Sequence, residues 1–158
     1  MDQVKVRQAT ELDVQNITAT INNAFAEVEL FFVDGDRVNK QEVIDSFHTG
    51  VFLVAESDEH MLGCVYVEPQ GERAYLGLLS VDPHQQQRGV GSRLMRAAEE
   101  LCFAAGCRFM DIKIVNLRTE LPGYYEKFGY TPTGTSPFPA EVETKIPCHF
   151  IDMSKPLV

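Results

Sequence analysis

Residues Val81–Ser92, with the sequence VDPHQQQRGVGS, decide the fold because they join an apolar strand to an amphipathic helix. Upstream, residues 74–81 are nearly all apolar, which predicts a strand buried on both faces. Downstream, apolar residues recur at helical spacing over 90–105, and Gly106 is a good helix terminator. Residues 109–115 then alternate as a strand. This order predicts two parallel strands joined by a right-handed crossover within a mixed α/β layer.

The rest of the chain carries weaker signals of the same kind. A capping pattern at Thr10–Asp13 opens a helix, and two apolar runs separated by a polar turn predict a hairpin. The predicted elements are strands at 4–7, 51–55, 61–67 and 148–153, helices at 12–26, 41–47 and 121–128, an irregular acidic segment at 27–39, and a loop at 131–140.

Composition restricts the class of protein. The chain has 158 residues, of which 44% are hydrophobic and 23% charged, so we expect one globular domain, 1–158, rather than a disordered or fibrous chain. No apolar run is long enough to span a membrane, and the first residues do not resemble a signal peptide. The four cysteines show no spacing typical of zinc, which predicts reduced core residues, no metal and a cytoplasmic location.

Charge is distributed unevenly along the chain. The net charge is −9, but residues 1–72 hold 4 basic and 14 acidic residues, whereas residues 73–158 hold 10 basic and 9 acidic. An acidic protein is a poor partner for nucleic acid, so we predict no nucleic-acid and no membrane partner. Two interpretations of the asymmetry stay open: a solvated acidic surface, or two halves that face ligands of opposite charge.

The glycine-rich turn has the features of an anion site. The first N–H groups of a helix lack internal partners, and the helix dipole adds partial positive charge there. Gly89 and Gly91 would let the backbone approach a phosphate, and residues 83–98 contain three arginines and no acid. The Walker pattern is absent, and the Rossmann pattern fails because Leu94 stands where its third glycine belongs.

Two motifs together carry a family resemblance. Residues Gln86–Gly91 have the form [QR]-x-x-G-x-[GA], and Tyr125–Tyr130 reads YEKFGY. Together they resemble the GNAT superfamily of acyl-CoA-dependent N-acetyltransferases, over about residues 3–156. The resemblance implies a mixed, mostly antiparallel sheet flanked by helices, with a parallel, splayed strand pair around the acyl-CoA site. It also implies acetyl-CoA as co-substrate, without a metal.

The resemblance assigns residues to acyl-CoA position by position. The end of the buried strand would pair with the pantetheine arm, a backbone N–H near Leu79 would stabilise the oxyanion, and the turn would hold the pyrophosphate. The family often has an asparagine seven residues before its tyrosine; here that position is Arg118, so the contact is assigned to Asn116 instead. The predicted acyl-CoA residues are Leu79, Ser80, Val81, Gln86, Arg88, Gly89, Val90, Gly91, Ser92 and Asn116. Arg88 and Arg93 would add charge or simply be solvated.

Tyr125 corresponds to the family's general acid, which would protonate the departing thiolate. Periodicity alone favours a core role instead, because Leu121, Tyr125 and Phe128 share one helix face. Tyr124 lies about 100° around the helix and is the less favoured candidate. The general base stays open among Glu29, Glu72, Glu120 and His149.

The acidic first half suggests the acceptor. Carboxylates beside aromatic rings suit a cationic amine, and the predicted substrate residues are Glu27, Glu29, Phe31 and Phe32. The predicted reaction is direct attack of a primary amine on acetyl-CoA in a ternary complex. Two alternatives stay open: a non-catalytic acyl-CoA-binding or protein-interaction module, and a peptide N-acetyltransferase. The oligomeric state is not readable from the sequence, although a homodimer is common for this size and class.

Overall fold

The computed structural model describes residues 3–158, except for the side chains of residues 86–88. The strands are β1 Lys5–Gln8, β2 Val51–Ser57, β3 His60–Gln70, β4 Arg73–Val81, β5 Phe109–Val115, β6 Thr131–Pro137 and β7 His149–Pro156. The α-helices are α1 Val14–Glu29, α2 Lys40–Thr49, α3 Val90–Ala104 and α4 Leu121–Glu126, and short 3-10 helices span Glu11–Asp13 and Pro83–Arg88.

The strands form one mixed sheet in the order β1-β2-β3-β4-β5-β7-β6. Every neighbouring pair is antiparallel except β4 and β5, which confirms the predicted parallel pair and the mostly antiparallel sheet. That parallel pairing joins only residues Arg73–Tyr75 to Phe109–Asp111. Beyond these residues the two strands no longer pair with each other, so the sheet splays open between them.

Helices cover both faces of the sheet, and the strand residues alternate accordingly. On β2, Phe52 and Val54 pack in the core beneath α1 and α2, whereas Leu53 and Ala55 pack in the core beneath α3. Because successive side chains of a strand point to opposite faces, a strand covered on both sides is apolar throughout. This is why the central strands are continuous apolar runs in the sequence.

The structure corrects three sequence predictions. The predicted loop 131–140 contains strand β6, which pairs with β7 at the edge of the sheet. Pro132, Gly134 and Pro137 concealed it, but an edge strand tolerates residues that a central strand rejects. Helix α1 runs to Glu29 instead of ending near residue 26. Strand β4 is not buried on both faces, because its second half borders the opening between the splayed strands.

No helix within residues 3–158 is long and apolar enough to cross a membrane. The four cysteines are all free: Cys64, Cys102 and Cys107 are buried, and Cys148 is partly exposed.

Candidate active site

A cavity of about 830 Å³ opens where β4 and β5 separate. Its floor is made by the second half of β4 and by residues 112–115 of β5. The C-terminal end of α1, helix α4 and residues 138–142 make its walls. The charged and tyrosine side chains that line it are Glu29, Arg37, Tyr75, Lys113, Arg118, Glu120, Tyr124, Tyr125 and Lys127. The cavity therefore joins residues from both halves of the chain.

Strand β4 is interrupted by a bulge at the floor of this cavity. Gly77 pairs with Tyr66 and Ser80 with Cys64, so Leu78 and Leu79 together lie opposite one residue of β3. Leu78 has φ 55°, a left-handed conformation that is uncommon for leucine. Such a bulge takes backbone groups out of the ladder and re-aims them. Since β5 has already diverged, the backbone at Leu78–Leu79 can hydrogen bond a ligand in the gap.

The turn before α3 presents its backbone in the way that an anion site requires. Gly89 has φ 71° and ψ 20°, a left-handed conformation that glycine adopts without strain, and it is exposed. Val90 is fully buried and anchors the start of the helix. A Cβ on Gly91 would lie 2.6 Å from the Tyr124 hydroxyl, so any other residue here would displace that side chain. The first amides of α3 are thus presented beside the cavity.

Of the predicted acyl-CoA residues, Leu79, Val81 and Gly91 line the cavity. Ser92 is exposed at the helix start, whereas Ser80 is buried and its hydroxyl donates to the Leu78 carbonyl at 3.0 Å. The side chains of Gln86 and Arg88 lie outside the described residues, so their predicted contacts stay predictions.

Two further residues assigned from the sequence are occupied with structural contacts. The Asn116 side chain accepts a hydrogen bond from the His149 amide at 2.8 Å and so joins the end of β5 to the start of β7. The Arg93 guanidinium donates to the Val4 carbonyl and ties the N-terminal segment to α3. Neither side chain lines the cavity.

Tyr125 belongs to both the core and the cavity. It is 9% exposed, its ring packs edge-on against Tyr124 at a centroid distance of 5.2 Å, and it lines the cavity wall. Burial raises the pKa of Tyr125 strongly, with a smaller opposing effect from Arg118. The phenol therefore keeps its proton at neutral pH, as a proton donor must. Tyr124 is half-buried on the same wall, nearer the start of α3.

Arg118, between β5 and α4, pairs with two carboxylates of the cavity. Its guanidinium lies 3.0 Å from Glu29 on α1 and 3.0 Å from Glu120. The side chains of Arg118 and Glu29 are only 12% and 14% exposed, whereas that of Glu120 is 58% exposed. Burial raises the pKa of Glu29, although Arg118 and Arg37 oppose the shift. Glu29 is thus a sheltered carboxylate of increased basicity, held by an arginine.

The four predicted substrate residues are not brought together. Glu29 lines the cavity, but Glu27 is exposed and does not. Phe31 is 51% exposed and lies outside the cavity. Phe32 is fully buried, and the centre of its ring lies 4.8 Å from that of Phe31. Glu27 and Glu29 differ because α1 continues to Glu29, and residues two apart on a helix point in different directions.

Sequence reasoning missed several residues of the acceptor side. Arg37 lines the cavity, but it lies in a segment that was interpreted only through its acidic residues. Phe138 and Phe150 also line it, 5.1 Å apart, and come from the region predicted as a loop and from the last strand. One feature of the sequence pointed to an unusual acceptor side: Arg118 stands where the family often has asparagine.

Comparisons with known proteins agree with this architecture. Residues 19–130 match the profile of the Acetyltransferase (GNAT) family. The chain belongs to the GNAT family. Its donor substrate is accordingly acetyl-CoA, and the protein is an acetyltransferase.

Solved structures of other proteins show the same fold at low sequence identity. A GNAT-family protein from Desulfovibrio desulfuricans is 17% identical, with a TM-score of 0.78 over 99% of this chain and 100% of that one. A Salmonella typhimurium protein solved with its cofactor acetyl-CoA is 17% identical, with a TM-score of 0.75 over 98% and 94%. The ribosomal-protein-S18-alanine N-acetyltransferase of Escherichia coli is 12% identical, with a TM-score of 0.73 over 98% and 94%.

Proposed function

We propose that this GNAT protein transfers the acetyl group of acetyl-CoA to a primary amine by direct attack in a ternary complex. The observation that carries the proposal is one cavity, between the splayed strands β4 and β5, that is lined by both Tyr125 and Glu29. A buried phenol that keeps its proton and a sheltered carboxylate of raised pKa are a matched acid and base.

The donor is bound mainly by backbone groups. The amides from Gly89 to Ser92, at the N-terminus of α3, would take the pyrophosphate, with Gln86 and Arg88 as further predicted contacts. The strand end Leu79–Val81 would pair with the pantetheine arm, because its β5 side is unpaired. The bulge at Leu78 supports this assignment, since it frees N–H groups that would stabilise the oxyanion.

The proposed reaction forms one bond and breaks one. The ammonium group of the acceptor first gives one proton to Glu29, which passes it to solvent. The neutral amine nitrogen then attacks the thioester carbonyl, a C–N bond forms, and the oxyanion collapses as the C–S bond breaks. The electron pair of the C–S bond passes to sulfur, which takes the Tyr125 proton, while Glu29 accepts the proton lost by nitrogen. Transfer of that proton from Glu29 to solvent and uptake of one by Tyr125 restore the enzyme. The products are the N-acetylated amine and CoA.

Glu29 is the best placed of the four candidate bases. Glu120 also lines the cavity but is largely exposed, and solvent screens its charge. Glu72 lies in the turn between β3 and β4, at the other end of β4 from the bulge, and His149 is exposed at the start of β7. Only Glu29 combines a position in the cavity with burial.

The acceptor enters the cavity with its amine protonated. Glu29 attracts this positive charge, as the sequence predicted. Residues 138–142 and the end of α1 narrow the acceptor side, which supports a small molecule. The proposal treats residues 1–158 as one acetyltransferase domain and places it in the cytoplasm, supported by four free cysteines. A homodimer stays a prediction that light scattering would test.

Two rival functions give different results in one assay. A non-catalytic module would bind acetyl-CoA in calorimetry but release no thiol with any amine. A peptide N-acetyltransferase would act on peptide N-termini and not on small amines; the Escherichia coli neighbour named above is of that kind, but its 12% identity shows the fold alone. Thiol release over a panel of small amines and peptides distinguishes all three.

The decisive variant is Tyr125→Phe, which removes only the proposed proton donor. We expect kcat to fall at least ~10-fold, within the range typical of general acid catalysis, with little change in acetyl-CoA affinity. Tyr130→Phe is the matched control: its hydroxyl donates to Glu99 at 3.0 Å and does not line the cavity, so kcat should be kept. A wild-type kcat for Tyr125→Phe rejects the assigned role.

A further inference from the structure

The charges of the acceptor side are not those of a site for a polycation. Among the described residues, the cavity is lined by two acidic side chains, Glu29 and Glu120, and four basic ones, Arg37, Lys113, Arg118 and Lys127. Both acids are already paired with Arg118. An acceptor with several positive charges would therefore meet a wall with a net positive charge and no carboxylate without a counter-ion. One ammonium group can still bind, because Arg118 contacts Glu29 at Oε2 and no described residue donates to Oε1.

Two of the four basic residues that line the cavity, Arg37 and Lys127, form no ion pair in the described part of the chain. Both are exposed, and of the two only Arg37 also lines the small hollow beside Glu29. Lys113 pairs with Asp152 at 3.2 Å, and Arg118 holds its two glutamates. Arg37, in contrast, forms no ion pair with any carboxylate in the described part of the chain. Its guanidinium carbon lies 5.6 Å from the ring centre of Phe25, a cation–π arrangement that holds the side chain against the cavity wall.

The neighbouring acids do not neutralise Arg37. Asp34 pairs with Lys145 at 2.9 Å, and Asp36 is exposed outside the cavity. The positive charge of Arg37 also acts on the wall, because it opposes the rise that burial causes in the pKa of Glu29 and of Tyr75. Arg37 is thus an exposed cation without an ion pair in the described part of the chain, at the end of the cavity that holds Glu29.

Glu29 and Arg37 lie on the same part of the wall. Besides the main cavity, both line a small adjoining hollow of about 30 Å³ together with Phe25, Val33 and the exposed Asp36. A carboxylate and a guanidinium at one end of a cavity recognise two opposite charges on one small molecule. The surfaces around them are apolar: the side chains are Phe25, Val28, Val33, Phe138, Val142 and Phe150.

We propose that the acceptor is an amino acid with an apolar side chain, whose ammonium group is held by Glu29 and whose carboxylate is bound by Arg37. This rests on the proposed function, since it names the acceptor of the same reaction. It also refines the expectation of a cationic acceptor: the positive charge is confined to the amine, and the remainder of the molecule carries a carboxylate and an apolar group.

The test compares acceptors that differ only in the carboxylate. Wild-type enzyme is assayed for thiol release with L-valine, L-leucine, L-methionine and L-phenylalanine, and with the amine that lacks the carboxylate of each. We expect kcat/KM for at least one amino acid to exceed that for its matched amine at least tenfold. In Arg37→Gln this preference should disappear, because kcat/KM should fall much more for the amino acid than for its matched amine.

Two controls separate charge from folding. Arg108→Gln removes an exposed arginine outside the cavity and should leave both activities as in the wild type. Arg37→Lys keeps the charge but not the bidentate geometry, so it should retain part of the preference. Thermal unfolding of each variant shows whether the fold is kept.

The outcomes distinguish this inference from the proposed function. Activity on amines or peptides without a preference for the carboxylate, or an equal loss on both acceptor types in Arg37→Gln, overturns the amino-acid acceptor and leaves the acetyltransferase proposal standing. Acetyl-CoA binding without thiol release on any acceptor overturns both.

Discussion

The two halves of the cavity are built in different ways. The donor half comes from one continuous stretch, from the bulge in β4 through the glycine turn to the start of α3. The acceptor half combines the end of α1, Arg37, Arg118 and residues near 138 and 150, which are distant in the sequence. Arg118 and Glu29, for example, are 89 positions apart. A motif can therefore encode the donor half, whereas the acceptor half exists only in the folded chain.

The two halves also use different chemical groups. The donor half offers backbone amides, whose direction follows from the bulge and the helix start. The acceptor half offers charged side chains in a sheltered environment, where a single substitution changes the charge balance. Variants in the acceptor half should therefore change acceptor kinetics and stability, and variants in the donor half should change the affinity for acetyl-CoA.

The largest effect should come from breaking the acceptor half at Arg118. Arg118→Leu leaves the buried Glu29 carboxylate without its partner, which should lower the free energy of unfolding by about 3 kcal/mol in denaturant titrations. The double variant with Glu29→Leu removes the orphaned charge and should recover much of that loss. Acetyl-CoA affinity should be unchanged in both. A stability for Arg118→Leu equal to that of the wild type would contradict a structural ion pair.

A smaller effect is expected from Gly91→Ala in the donor half. The added methyl meets the Tyr124 hydroxyl at 2.6 Å and occupies space beside the turn, so KM for acetyl-CoA should rise roughly 10-fold, or about 1.4 kcal/mol, with acceptor KM unchanged. Gly134→Ala is the control, since no atom lies within 4 Å of its added methyl.

Combining Gly91→Ala with Tyr124→Phe separates two causes of that effect. The double variant removes the hydroxyl that the new methyl contacts. Any increase in KM that persists then shows that the methyl keeps acetyl-CoA away from the backbone of the turn. An unchanged KM in Gly91→Ala itself would show that the turn does not bind the donor closely.

The smallest effect is a pH profile of kcat that has an acidic limb and no alkaline fall below about pH 10. Glu29 has a raised pKa and accepts a proton only when ionised, so kcat should rise with pH through a value above the ordinary glutamate pKa of about 4.3. Tyr125 also has a raised pKa and donates only when protonated, so its deprotonation should not lower kcat below about pH 10.

The pH–kcat profile, with a saturating acceptor, measures both limbs. Glu29→Gln should remove the acidic limb and Tyr125→Phe should leave it in place. An alkaline fall near neutral pH that Tyr125→Phe abolishes would contradict a phenol whose pKa is raised.

Sequence reasoning was strongest where structure is local. Strand β5 was predicted at its observed bounds, Phe109–Val115, and α3 within one residue. Strand β6 was missed because its prolines and glycine suit a loop as well as a sheet edge. At the candidate site, Tyr125 and Gly91 were named in advance and line the cavity, and so does Glu29. Phe31 and Phe32 do not, because their directions depend on where α1 ends.

The sequence by itself determined the periodic elements, the glycine turn and the family, because hydrophobic spacing and turn chemistry act over a few residues. The family resemblance already implied that β4 and β5 splay apart, but only the tertiary structure decided that they separate after Tyr75. It alone also decided that Arg118 compensates both acids of the cavity and that Arg37 forms no ion pair in the described residues. These depend on contacts between distant segments, where burial strengthens charge interactions that no local pattern records. The acidic charge of the first half of the chain therefore does not predict the acceptor unless the positions of its carboxylates in the fold are known.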